Sequence, residues 1–205
     1  MHKGLFIVIS GPSGVGKGTI INLLKERMPQ AVFVLSHTTR EMRPGEKDGE
    51  QYHFVSVEQF RKDIEEGKFL EYAQVHQKDY YGTMREMVEK GLDQGQLVIR
   101  EVDIQGAKSI KELIPKDQLI LIFIQPENIN LLRARIQHRS ELPEEELKRR
   151  LHSAELELAE AGHFDYRITN YEGQIERCYM EVEGIIKSRA EQKGIYLGEP
   201  GGTMV

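Results

Sequence analysis

Cysteine is almost missing from this chain of 205 residues: Cys178 stands alone. That excludes an intramolecular disulfide and a cysteine-rich metal site, and nothing calls for an oxidising compartment. Long apolar runs are missing too. The longest, Leu119 to Ile124, falls far short of the roughly 18 to 20 residues needed to span a bilayer. The start, Met1 to Ile9, has too short an apolar run for a secretory signal and leads directly into a loop that cleavage would destroy. A soluble cytoplasmic protein without membrane partners is the expectation. Positive charge is not in excess either. A formal net charge of −5 excludes a uniformly basic nucleic-acid-binding surface and leaves room for a local cationic site.

What is present suits one globular domain with small insertions. Hydrophobic residues make up 39% and charged residues 30%, enough for a core under a polar surface. Leu5–Ile9 is a continuous, β-branched-rich run, the pattern of a strand buried on both faces of a parallel sheet. Val32–Leu35, Leu97–Val102 and Leu119–Ile124 repeat it. Helical spacing fills the intervals at Thr19 to Met28, Ile104 to Leu113 and Asn128 to Ile136. The alternation predicts an α/β fold with a mostly parallel central sheet flanked by helices.

Two stretches break the rhythm. Residues 36–83 hold short strand candidates at Tyr52–Val55 and Phe69–Val75, a small helix near Val57–Glu66, and turns at Pro44–Gly45 and Asp48–Gly49. They predict a small α+β insertion. Residues 127–160 are densely charged and helical, with Leu147, Leu151, Ala154, Leu158 and Ala161 marking one apolar face. The tail 198–205 lacks core-forming residues and is expected to be disordered.

The segment Gly11–Pro12–Ser13–Gly14–Val15–Gly16–Lys17–Gly18–Thr19 lies between a predicted strand and a predicted helix, the context of a triphosphate-binding P-loop. Glycines let successive N–H groups turn inward toward phosphate oxygens, and the helix adds the positive end of its dipole. Lys17 supplies a point charge for the outer phosphates. Gly18 stands where switch GTPases and motor ATPases place a magnesium-binding hydroxyl, which moves the expectation toward small nucleotide kinases.

Downstream, Arg40 and Arg43 lie three apart with Tyr52 nine beyond. They can converge on a phosphate monoester, although alone they read better as arginines on a solvated turn. Glu71, followed by Tyr80–Tyr81–Gly82–Thr83, offers a carboxylate able to accept from guanine N1–H and its 2-amino group. Glu101–Val102–Asp103 closes a buried strand, where parallel sheets present ligand-facing residues.

Together these motifs resemble guanylate kinases, in the family's order, from about Leu5 to Asn170. The resemblance implies a P-loop core (1–35, 84–126 and 161–197), a GMP-binding insertion (36–83) and a mobile lid (127–160). It implies guanine contacts from Ser36, Glu71, Thr83 and Asp103, and GMP phosphate contacts from Arg40, Arg43, Tyr52 and Tyr81. ATP would lie along Gly11 to Thr19 with Asn170 beside the adenine, and Glu101 nearest to Mg²⁺ and its waters. An acidic residue at a strand end can equally cap a helix or pair with an arginine.

Lys17, Arg43, Arg139 and Arg150 are the implied catalytic cations, with Arg135 a weaker candidate beside a salt-bridged helical surface. The implied substrates are ATP and GMP or dGMP, with magnesium. His37, His53 and His76 are not needed as bases, because the attacking phosphate oxygen is already anionic. Ser140 and Glu141–Leu142–Pro143 depart from the family pattern. So does Arg100, at a strand position normally apolar, with no partner legible in the sequence. A silent protein-binding module and a kinase for another phosphorylated small molecule are the competing classes. Monomer and homodimer both stay open.

Overall fold

The protein is described by a computed structural model over residues 4–75, 79–139 and 143–197. In chain order its elements are β1 (Leu5–Ser10), α1 (Lys17–Arg27), β2 (Val32–Phe33), β3 (Ser36–Thr38), β4 (Tyr52–Phe54), α2 (Val57–Glu65), β5 (Phe69–Val75) and β6 (Asp79–Met84). There follow α3 (Arg85–Asp93), β7 (Leu97–Glu101), α4 (Ile104–Leu113), β8 (Leu119–Pro126), α5 (Ile129–Arg139), α6 (Glu144–Ala159), β9 (Tyr166–Asn170) and α7 (Ile175–Gln192).

Five strands form the central sheet in the order β2-β7-β1-β8-β9, and every adjacent pair is parallel. β1 lies in the middle and is buried along its whole length, which is why its sequence is a run rather than an alternation. The two faces have separate cores. Leu5, Ile7, Ile9, Leu97 and Ile99 pack with Ile20 and Leu24 of α1, Leu132 and Ile136 of α5, and Val182 and Ile186 of α7. Phe6, Val8 and Val98 pack with Val88 and Leu92 of α3 and Ala107 and Ile110 of α4. Burying each such large side chain contributes about 1.5–3 kcal/mol.

A second sheet, β4-β3-β6-β5, has all its strands between Ser36 and Met84. β3 pairs parallel with β4 and antiparallel with β6, and β5 pairs antiparallel with β6. α2 closes one side, stacking Phe60 on Phe69 at 4.3 Å. Gly82 makes room for this stack, since a Cβ there would lie 2.7 Å from the Phe69 ring.

The expected α4 matches its observed bounds, and Asp103 starts it by accepting from Gly106 N at 2.8 Å. α1 begins two residues earlier than the spacing of its apolar face suggests, because its first turn belongs to the phosphate loop. β2 is shorter than Val32–Leu35. β3 and β6 are strands the pattern did not predict, and beyond the lid segment the structure adds β9 and α7. The expected tail 198–205 lies outside the described residues, as do His76 and the turn residues Ser140, Glu141 and Leu142. No helix among the described residues is long and apolar enough to cross a membrane.

Candidate active site

The phosphate loop leaves the centre of the sheet at the end of β1. Gly11, Gly14 and Gly16 all take positive φ, at 143°, 83° and 107°. At Gly11 a Cβ would sit 2.1 Å from the Ile124 carbonyl oxygen on β8, so only glycine fits. Gly16 precedes α1 without a side-chain cap, which leaves the first N–H groups of that helix for an anion. Lys17 Nζ lies over the loop, donating to Gly11 O at 2.6 Å and Pro12 O at 3.2 Å, with Glu101 Oε1 at 3.8 Å. Ser13, Gly18 and Thr19 are on the exposed rim, while Val15 is buried. Asn170, at the end of β9, ties the loop down by donating from Nδ2 to Val15 O at 2.8 Å. Its Oδ1 is buried and without a partner among the described residues. Arg135 Nη1 on α5 is 3.5 Å from the same Val15 carbonyl.

Where β7 ends, adjacent residues serve opposite faces. Glu101 points to the Lys17 side. Arg100 points to the second sheet, 8% exposed, donating from Nε to Thr83 Oγ1 at 2.9 Å, from Nη1 to Val34 O at 3.4 Å, and from Nη2 to Ser36 Oγ. Thr83 in turn donates to Glu71 Oε1. Glu71 is itself 8% exposed. Burial pushes its carboxyl above the usual range, while the Thr83 hydrogen bond and the Arg100 charge pull it back. The structure therefore brings Ser36, Thr83 and Glu71 together. Asp103 is nearby on the exposed side, with Oδ1 given to the α4 cap.

A third cluster joins Arg40, Tyr52 and Tyr81. The Arg40 guanidinium lies over Tyr52, 5.4 Å from its ring centre, and Tyr52 meets Tyr81 edge-on at 5.9 Å. Arg40 is paired with Glu46 at 2.8 Å, and Glu46 also accepts from the Arg43 amide at 2.8 Å. The Arg43 side chain is exposed. Nearby, the His37 and His53 rings lie 4.8 Å apart, and burial first, then His53, lowers the His37 pKa.

Arg150 on α6 donates from Nε to Glu146 Oε1 at 2.9 Å on its own helix. Arg139 ends α5, and its side chain lies outside the described residues. Glu157, also on α6, is half-buried. Desolvation pushes its carboxyl up to about 7, against the pull of Lys17 and with a smaller push from Asp103. α6 thus turns a carboxyl toward the phosphate loop.

A model of the family described as guanylate kinase matches residues 3–189. The chain belongs to this family. It is 43% identical over 199 residues to a guanylate kinase of Caldanaerobacter subterraneus subsp. tengcongensis, covering 95% of this chain and 94% of that one. With a guanylate kinase of Carboxydothermus hydrogenoformans the identity is 40% over 186 residues, covering 91% and 89%. The crystal structure of guanylate kinase from Anaplasma phagocytophilum superposes with a TM-score of 0.75 at 31% identity, over 91% of this chain and 86% of that chain.

Within this guanylate kinase fold, three residues matter that the motifs did not mark. Arg100 was visible in the sequence as a lone charge in an apolar strand, but without its partners. Glu157 follows Ala154 by three on α6, at the flank of the apolar face, and nothing local distinguishes it from a solvated glutamate. Gly106 sits inside α4, where glycine costs about 0.5–1 kcal/mol relative to alanine. Its reason is spatial. A Cβ there would lie 2.9 Å from Glu71 Oε2 and 3.2 Å from Val102 Cβ.

Gly106→Ala is accordingly expected to displace the Glu71 carboxylate. The helix gains propensity, so thermal stability should change little, while KM for GMP rises about 10-fold and KM for ATP stays within twofold. Steady-state kinetics with each substrate varied in turn checks this. Equal effects on both KM values would show that the methyl disturbs the cleft as a whole.

Glu157 makes stability pH-dependent with a definite sign. Its folded pKa, about 7, lies above the ordinary value of 4.5, so the folded state holds a proton that the unfolded chain releases. The destabilisation is absent below pH 4.5, grows as pH rises, and is complete above pH 7. Glu157→Gln removes it. The advantage of the variant over the parent in urea unfolding, without nucleotide or magnesium, should grow by about 2 kcal/mol between the acid and alkaline ends, after allowance for solvent screening. A difference independent of pH would rule out Glu157 as the source.

Proposed function

We infer that the protein is an ATP:GMP phosphotransferase of purine nucleotide metabolism, which moves the ATP γ-phosphoryl group to GMP or dGMP and yields ADP and GDP or dGDP. One observation carries the acceptor: the buried Glu71 carboxylate stands with Ser36 and Thr83 across β7 from the lysine-bearing phosphate loop. Glu71 would accept from guanine N1–H and the 2-amino group, and Ser36 would donate to O6. Asp103 would add the oxygen not used in capping α4. A ribose carries no such edge, and adenine presents no donor at N1.

Arg40, Arg43, Tyr52 and Tyr81 would hold the GMP phosphate. The Arg40–Glu46 pair pre-aligns the guanidinium over Tyr52, so little side-chain freedom remains to be lost on binding. ATP phosphates would lie on the N–H groups of Gly11 to Thr19. Lys17 would transfer its hydrogen bonds from the loop carbonyls to the outer phosphates, and Asn170 would keep the loop in shape beneath them. The GMP oxygen attacks the γ-phosphorus in line as the bond to the β–γ bridging oxygen breaks, and ADP leaves. No side chain need act as a base. Catalysis rests on alignment and charge neutralisation.

Magnesium fits the residues present. Glu101 offers one half-exposed carboxylate in the space Lys17 occupies, and a single hard-oxygen donor suits an ion that keeps its waters and takes most other ligands from phosphates. Glu101 would hold it through water, and the bound ion would neutralise charge on the transferring phosphates. In the same reading residues 36–83 close over GMP and residues 127–160 act as the lid. Arg139 and Arg150 would meet the equatorial oxygens, Arg150 by releasing Glu146. Closure excludes the water that would otherwise hydrolyse ATP.

The test is a coupled assay of ADP release with magnesium and each nucleoside monophosphate in turn. Turnover with GMP and dGMP, far above that with AMP, CMP and UMP, is the expected result. Absence of GMP turnover alongside tight binding of a peptide would favour a silent binding module instead.

A further inference from the structure

We propose that Arg100 is a positioning residue for nucleobase selection, which acts through Ser36 and Thr83 and biases the Ser36 hydroxyl to donate toward the acceptor base. The inference rests on GMP as the acceptor. Arg100 sits at a strand position where its neighbours Val98 and Val8 are core residues, and it is buried to the same degree as Glu71. A guanidinium carries five donors and no acceptor. Each hydroxyl it touches therefore spends a lone pair on Arg100, and its own proton must go elsewhere.

For Thr83 the destination is visible: its hydroxyl donates to Glu71 Oε1. The chain of bonds runs Arg100 to Thr83 to Glu71, and it fixes which side of the carboxylate is already used. For Ser36, no donated hydrogen bond is present among the described residues, so its proton is available to the base. A donor held there complements a 6-keto oxygen and opposes the 6-amino group of adenine. An unpaired serine hydroxyl could rotate to accept from that amino group. Arg100 spends one of the two Ser36 lone pairs and polarises the O–H, so the hydroxyl donates better and accepts less well.

The same side chain supports the other half of the readout. Glu71 can accept two base N–H groups only while ionised, and Arg100 supplies the nearest stabilising charge against burial. A merely structural strut between β7 and the second sheet would make the same hydrogen bonds, so the test must read base choice and not stability alone.

Arg100→Met fills the space without charge or donors. Against a parent enzyme that turns over GMP, it should raise KM for GMP about 10- to 100-fold, the span expected for losing charge-assisted bonds. KM for ATP should stay within twofold, and the ratio of kcat/KM for GMP over AMP should narrow by at least tenfold. Arg100→Lys, which restores charge and donors without the planar fork, should recover part of both effects. It also serves if the methionine variant does not fold, with an expected KM for GMP between parent and tenfold higher and a measurably narrowed selectivity. An unchanged KM for GMP and unchanged base selectivity, with only thermal stability or kcat lowered, would reduce Arg100 to a strut. A parent enzyme inactive with GMP would refute the acceptor assignment instead, so the two failures are distinguishable.

Discussion

Lys17→Ala is expected to lower kcat by about 10³-fold or more, with the fold intact. The scale follows from the chemistry: removing one preorganised cation or donor that meets developing charge costs about 10² to 10³ in rate, and a transition-state arginine up to 10⁵. Lys17 combines both roles, so about 4 kcal/mol is the expected loss of transition-state stabilisation. The fold should survive because the loop does not depend on the ammonium group for its shape. Val15 N–H bonds to Pro12 O at 3.2 Å, Ile20 N–H bonds to Gly16 O at 3.1 Å, and Asn170 anchors the Val15 carbonyl.

The carbonyls of Gly11 and Pro12 that lose a donor lie at a partly accessible loop where water can replace it. Removing Lys17 also frees Glu101, whose unbalanced negative charge would repel the phosphates and deepen the loss. Stopped-time ADP release gives kcat, and calorimetric titration with ADP gives binding. KM for GMP should change less than threefold, since Lys17 makes no contact with the Ser36–Thr83–Glu71 group. A kcat within tenfold of the parent would move the phosphoryl-transfer role to other cations.

How much of this was readable in advance depended on whether a feature is local. The phosphate loop was readable because its requirements are written in consecutive residues: positive φ at glycine, a lysine at the helix start, a strand before and a helix after. The parallel sheet was readable because strands covered on both faces become apolar runs. β3 and β6 were not. Ser36–His37–Thr38 has no apolar pattern of its own, and it becomes a strand because β4 and β6 pair with it on either side. Arg100 shows the same limit in the site. Its partners lie 17 residues away at Thr83 and 64 residues away at Ser36, so the sequence exposed the anomaly and only the fold supplied its reason. The two roles open to a strand-end carboxylate fall to different residues, since Glu101 pairs with Lys17 at 3.8 Å and Asp103 caps α4.

Glu71→Gln should separate base recognition from every other property of the site. The exchange conserves volume, and the new side-chain oxygen can still accept from Thr83. What changes is the remaining edge. A carboxylate presents only acceptors to guanine N1–H and its 2-amino group, whereas an amide presents a donor that faces one of them. Replacing an acceptor by a donor loses one charge-assisted bond and leaves a buried N–H opposed to another. About 3 kcal/mol or more is at stake, so KM for GMP should rise at least about 100-fold. IMP, whose base keeps N1–H and the 6-keto oxygen but lacks the 2-amino group, should lose much less, because the amide oxygen can serve N1–H alone. KM for ATP should remain within twofold. The variant also removes the counter-charge of Arg100, and a buried guanidinium deprived of a partner is destabilising. A lower melting temperature is therefore expected and does not by itself bear on recognition. The change in preference between GMP and IMP does. Equal losses for the two nucleotides would mean that Glu71 supports the cleft without reading the 2-amino group, and an unchanged KM for GMP would remove guanine recognition from Glu71 altogether.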